Sequence, residues 1–225
     1  MRYRIDGTPL PVAICTLDQG EIIITERGGM SWMTPNIDMK TNTQGGIGKA
    51  FGRMFSGESL FMNEYTCMSG EGLIAFASSM PGSIIPFEIS PTNTIIAQKT
   101  AFLAAESTVE LSMHFNKKFA GGLFGGEGFI MQRLSGHGLA FVEIDGHCIE
   151  YTLQPGQQML VDTGHLAAMT DTVSLDVKAV KGVKNMFLGG EGLFNTVLTG
   201  PRKIWLQTMP VSGLAAQIIP FIPSK

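Results

Sequence analysis

One short signature occurs three times along this chain. Gly189-Gly190-Glu191-Gly192-Leu193-Phe194 is nearly repeated by Gly125-Gly126-Glu127-Gly128-Phe129-Ile130, and more loosely by Ser56-Gly57-Glu58-Ser59-Leu60-Phe61. The glycines before the glutamates stand at 57, 126 and 190, displacements of 69 and 64 residues. Self-similarity on this scale means that a supersecondary unit has been copied and that each copy leans on its neighbours to bury its apolar face. The fold must therefore contain three similar parts.

A second signature strengthens the first. Val12 and Ile14 alternate into Leu17-Asp18-Gln19-Gly20-Glu21, and Ile22-Ile23-Ile24 follows, which reads as strand, turn, strand. Leu153-Gln154-Pro155-Gly156-Gln157 and Met159-Leu160-Val161 restate that plan at a displacement of 136. In the same register Met30–Thr34 falls on Leu166–Thr170, and Ile37 on Val173. A third copy, Phe102–Glu106 through Val109 and Leu111, lies between them, displaced by 64 from the last. After each Gly-Glu signature a strand, a turn and another strand are expected. Gly57, Gly126, Gly190, Gly70, Gly136 and Gly200 take the turn positions. The segments Gly45–Phe55, Asn116–Phe124 and Lys178–Leu188 read as glycine-rich loops, since each helical glycine costs about 1 kcal/mol. The tail from Val211 is expected as an edge strand, its Pro220 and Pro223 excluding a central one.

Units are drawn at 8–80, 81–145 and 146–225 within one compact domain covering 1–225. The sequence predicts an all-β fold of three tandem sandwich-like repeats in a pseudo-threefold arrangement. No charge run or low-complexity spacer separates the units, so they are expected to share one core.

Composition bears on partners. Charged residues make up 16% and apolar residues 44% of the 225, against roughly 25% charged in ordinary soluble domains. Apolar surface buried between subunits, or facing a membrane surface, accounts for that balance, so a homo-oligomer is expected. The net charge of −3 makes nucleic acid an unfavoured partner. Cys15, Cys67 and Cys148 are odd in number and show no CxxC spacing, as reduced thiols of a cytoplasmic protein would. The N-terminus does not read as a signal peptide, and no apolar run is long enough to span a membrane.

Few residues suggest chemistry. Glu58, Glu127 and Glu191 would form a ring of carboxylates for a ligand if the copies converge; the competing reading is three turn glutamates that are solvated or accept backbone N–H bonds. His114, His137, His147 and His165 lack HxH spacing, though His137 and His147 are candidates for neighbouring strands. Gly45-Gly46-Ile47-Gly48-Lys49-Ala50 fails as a phosphate loop, because Thr43 replaces the first glycine and Ala50 the magnesium-binding hydroxyl. With Phe51, Arg53 and Phe55 it reads as a solvated loop or a contact for lipid or a partner. Lys117, Lys118, Lys178, Lys181, Lys184, Arg202 and Lys203 make a basic rim, ordinarily a solvated face. No motif implies a metal, a cofactor or a catalytic triad.

The ordered succession Gly-Glu-x-Leu-Phe, Gly-x-Gly-Leu-x-Phe, Leu-x-Pro-Gly-Gln, Val161-Asp162-Thr163-Gly164-His165-Leu166 and Gly200-Pro201…Leu206-Gln207-Thr208 resembles the mitochondrial biogenesis family, named for altered inheritance of mitochondria. Its bacterial members are small uncharacterised proteins. The resemblance covers nearly the whole chain and implies a fold similar to the tryptophan RNA-binding attenuation protein, a short double-stranded β-helix repeated in tandem, in homo-oligomers. It implies no enzymatic activity; eukaryotic members organise the mitochondrial inner membrane. One departure is Arg202, where the family would place glycine. Three functions stay open: a non-enzymatic scaffold or binding module, at a membrane surface in one version; an RNA or small-ligand binder of the attenuation-protein type; and a metal-dependent enzyme of the double-stranded β-helix class.

Overall fold

The turn at Asp18–Glu21 shows how local chemistry starts this architecture. Gly20 takes a φ of 87°, open to glycine at no steric cost, and the Glu21 carboxylate accepts the Asp18 N–H at 2.8 Å. At Gln154–Gln157, Gly156 takes a φ of 76° and the Gln157 side-chain oxygen accepts the Gln154 N–H at 2.9 Å. The displacement of 136 seen in sequence is thus a repeat of hydrogen bonds as well as of letters.

The computed structural model describes residues 1–26, 28–42, 62–117, 129–179 and 194–222. Their strands are β1 (Arg2–Asp6), β2 (Val12–Asp18), β3 (Ile22–Glu26), β4 (Trp32–Met33), β5 (Ile37–Asn42), β6 (Met62–Cys67), β7 (Glu71–Ala77), β8 (Gly82–Ile89), β9 (Ile95–Gln98), β10 (Phe102–Glu106), β11 (Val109–Lys117), β12 (Phe129–Gly136), β13 (Gly138–Asp145), β14 (Cys148–Leu153), β15 (Gln158–Asp162), β16 (Leu166–Thr170), β17 (Ser174–Ala179), β18 (Phe194–Thr199) and β19 (Arg202–Gln207). The chain is therefore all-β, and its described residues hold one short α-helix, α1 (Val211–Ile218).

Four antiparallel sheets result, ordered β1-β2-β7-β4, β5-β6-β3-β10-β13-β8, β11-β12-β9-β16-β19-β14 and β15-β18-β17. In the pairings, β7 lies between β2 and β4, β13 between β8 and β10, and β19 between β14 and β16. Likewise β6 lies between β5 and β3, β12 between β11 and β9, and β18 between β17 and β15. Two further ladders, β3 with β10 and β9 with β16, join these groups into the six-stranded sheets.

Three apolar clusters fill the spaces between sheets. One gathers Ile23, Ile74 and Phe76 with Phe141; a central one gathers Ile24, Phe87, Val142 and Trp205; a third gathers Ile96, Met131, Leu198 and Ile204. Each contains residues from strands far apart in sequence, so no group of strands closes its core alone. Ile23, Phe76, Phe141, Ile96 and Leu198 are fully buried, and burying side chains of that size contributes about 1.5–3 kcal/mol each.

The tail differs from the edge strand expected of it. Pro210 has an extended ψ of 138° at the helix N-cap, and Leu214, Ala215 and Gln217 favour the helical state, so Val211–Ile218 coils before a 3-10 turn at Ile219–Phe221. Proline at 220 sits in the 3-10 turn rather than in a ladder.

Candidate docking groove

β14 and β15 follow one another in the chain yet lie at the edges of two different sheets. Ile149 and Tyr151 from β14, Met159 and Leu160 from β15, and Leu206 from β19 line a groove of 370 Å³ between them. Alternation along an extended strand sends Ile149 and Tyr151 to one face. Leu160 is 64% exposed, Tyr151 42% and Ile149 37%, an apolar patch with no cover among the described residues.

The polar end of the groove is already bonded. Asp162 accepts the Gly164 N–H at 3.1 Å, capping the 3-10 turn Thr163–His165. His165 Nδ1 lies 2.7 Å from the Gln207 carbonyl. Gln207 is 5% exposed; its Nε2 donates to the Gly164 carbonyl at 2.8 Å and its Oε1 accepts the Asp145 N–H at 3.2 Å. These bonds hold the groove wall in shape, which suits a docking surface.

A smaller, more polar cavity of 230 Å³ is lined by Thr25, Glu26, Ser31, Ser79 and Glu143 among others. Glu143 is 8% exposed and fully engaged: it accepts Ser78 Oγ at 3.0 Å, the Ser79 N–H at 2.9 Å and Ser79 Oγ at 2.7 Å. It therefore clamps the link between β7 and β8. Asp145, next on the same face of β13, has its carboxyl pushed up from 3.8 to about 6 by burial and then by the Glu143 charge.

Of the residues singled out in sequence, Glu58, Glu127 and Glu191 lie outside the described residues, as do Gly57, Gly126 and Gly190 and the loop Gly45–Phe55. Gly70 and Gly136 take φ values of 59° and 91°, and Gly200 precedes a cis bond to Pro201. His137 and His147 sit in turns at opposite ends of β13 rather than on neighbouring strands. Burial and the Arg133 charge lower the His114 pKa. Among the described residues no three His, Cys, Asp or Glu side chains come together as metal ligands. In the basic rim, Lys203 pairs with Glu150 at 2.7 Å and Arg202 donates to the Thr92 carbonyl at 3.3 Å. Lys118, Lys181 and Lys184 lie outside the described residues.

The cysteines are free thiols. Burial pushes the Cys15 thiol up to about 12, and burial with the Glu150 charge raises Cys148. Nucleophiles are selected for the opposite shift. No helix among the described residues is long and apolar enough to cross a membrane. Sequence reasoning missed Glu143 and Asp145; the signal was acidic residues inside an apolar strand, buried from Ala140 to Asp145.

Comparison with known proteins places the chain. The family described as mitochondrial biogenesis AIM24 matches residues 3–209. An uncharacterized protein of Streptococcus pyogenes serotype M6 is 29% identical over 235 residues, spanning 100% of this chain and 92% of its relative. The X-ray crystal structure of SPYM3_0169 from Streptococcus pyogenes is similar with a TM-score of 0.81 and 26% identity, covering 98% of this chain and 99% of that one.

Proposed function

The chain belongs to the mitochondrial biogenesis AIM24 family, and from that premise we propose that it is a non-enzymatic, oligomeric scaffold or binding module built of three tandem β-repeats. The observation that carries this reading is the recurrence of one pairing scheme. The cross-strand pairs Trp32↔Ala75, Ala104↔Phe141 and Ala168↔Trp205 hold the same place in it, at displacements of 72 and 64 along the first strand. Ile23↔Tyr65, Ile95↔Leu134 and Met159↔Leu198 do the same in the companion sheets. This recurrence supports the attenuation-protein-like architecture expected from sequence, which would serve as a framework for presenting surfaces.

Support for the absence of catalysis is chemical. Glu143 is consumed by its serine and backbone donors, and the Cys15 and Cys148 thiols are held in their neutral form. The tail favours a membrane-surface role alongside the scaffold: 211–222 carries no charge, and Ile219, Phe221 and Ile222 are 63%, 85% and 61% exposed.

Native mass spectrometry of gently purified full chain tests this reading. A homo-oligomer without added mass is expected. A monomer, or a stoichiometric metal or small ligand retained by the protein, overturns it.

A further inference from the structure

We propose that copies of this chain join head to tail, β15 of one copy pairing with β4 of the next in the register already used twice inside each chain. The inference rests on the three-repeat reading and specifies how the oligomer is held.

The internal joints set the rule. At the first, Ala105 of β10 pairs with Ile24 of β3, and Glu106 with Ile23. At the second, Met169 of β16 pairs with Ile96 of β9, Thr170 with Ile95, and Ala168 with Ala97. The displacements of the repeats superimpose these contacts pair for pair. Carried one step further, the same register sets Met33 of β4 against Leu160, Thr34 against Met159 and Trp32 against Val161. Among the described residues β4 ends one sheet and β15 ends another, so neither half of this third joint is filled there.

Burial marks the same vacancy from both sides. Ile24 and Ile96 are 6% and 0% exposed, whereas Leu160, their counterpart, is 64% exposed. Ala104 and Ala168 are fully buried, whereas Trp32 is 48% exposed. The sizes are complementary too. In the second and third repeats the cross-strand pair carries its aromatic on the longer strand, Phe141 or Trp205, and that ring packs back on the preceding repeat. Trp205 meets Phe87 edge to face with centroids 4.8 Å apart. The first repeat has Ala75 there and places its aromatic on the neighbouring position of the same face, Trp32. Tyr151 is the counterpart of Phe87, 42% exposed in the groove beside Ile149 and Leu160. Trp32 of the next copy is the ring that fits there.

Each chain brings one β15 and one β4, so the contact is heterologous: it propagates into a ring or a filament and does not close as a twofold dimer. Trp32→Glu blocks one end and Leu160→Glu the other, and both positions are exposed enough that the fold tolerates the change, which circular dichroism verifies. The wild-type chain is expected to sediment as an assembly larger than a dimer and each variant as a monomer. An equimolar mixture of the two variants should form a one-to-one pair and nothing larger, because only one intact joint remains. A Met33→Cys, Leu160→Cys chain should give a ladder of disulfide-linked multimers on a non-reducing gel, absent when either cysteine is introduced alone. An assembly that persists unchanged in either glutamate variant overturns the joint while leaving the scaffold reading standing; a wild-type monomer at micromolar concentration overturns both. A mixture that stays monomeric also overturns the joint.

Discussion

Replacing Asp145 by asparagine should make the protein more stable near neutral pH and leave it unchanged in acid. Asp145 ends β13 at 9% exposure, with Glu143 on the same face two residues earlier. Its carboxyl is raised from 3.8 to about 6, by burial first and the Glu143 charge second. An acid raised in the folded state binds more protons folded than unfolded across that window, so its ionisation opposes folding. Its contribution is full below pH 3.8 and is lost as the pH rises through about 6. A shift of this size corresponds to about 3 kcal/mol, and because water still reaches part of the side chain we discount it to about 1–2 kcal/mol. Asparagine keeps the shape and cannot ionise. Urea denaturation of wild type and Asp145→Asn, run from about pH 4 to 7.5, should show the variant gaining about 1–2 kcal/mol across that range and no further above it. Taking the difference cancels the other groups, among them Glu21, whose pKa is lowered against the N-terminal ammonium. A difference that does not change with pH would refute the argument.

Two backbone predictions use thermal or chemical denaturation. Gly156 has a φ of 76° with open space around it, so Gly156→Ala should cost about 1 kcal/mol. Gly136 has a φ of 91°, and a Cβ there would stand 2.5 Å from the Thr108 carbonyl oxygen, so Gly136→Ala should cost about 3 kcal/mol; equal losses would contradict this. Arg202, with a φ of 89°, is the one non-glycine residue at positive φ among the described residues. Arg202→Gly should relieve about 1–2 kcal/mol of strain and return about 0.5–1 through the freer unfolded chain. A small net stabilisation is expected, and a loss above about 1 kcal/mol would show that the Thr92 contact outweighs the strain.

Much of the architecture was legible because the repeats carry local chemistry. Gln154–Gln157 repeats the hydrogen bond of Asp18–Glu21, and both turns place glycine where φ is positive. Arg202, unexpected in sequence, is the one strained side-chain position among the described residues. Letters misled where spacing changed: Gly70 and Gly136 both read as turn glycines, yet Cys67 faces Ile37 as Gly136 faces Val109, because the stretch from Cys67 to Ala75 is three residues longer than that from Gly136 to Phe141. The tail's prolines suggested an edge strand, and helix propensity in Leu214–Gln217 decided otherwise.

The groove was not legible. Gln158-Met159-Leu160-Val161-Asp162 is a short apolar run between polar ends, as in many strands, and nothing in those letters says that no strand will cover Leu160. That depends on which strand finds a partner far along the chain: β3 and β9 pair with β10 and β16, and among the described residues nothing covers the outer edge of β15. Trp32 was hidden in the same way: Ala104 and Ala168 are fully buried on strands that pair with β3 and β9, whereas β4 ends its sheet.

Backbone hydrogen exchange over a dilution series tests the open-ended joint most directly, because the molecule contains its own controls. β3 and β9 are paired within the chain and should be protected at every concentration. Protection of β15 and β4 should rise together as concentration rises and fall on dilution. Exchange at β15 that ignores concentration, while β3 and β9 stay protected, would contradict the account.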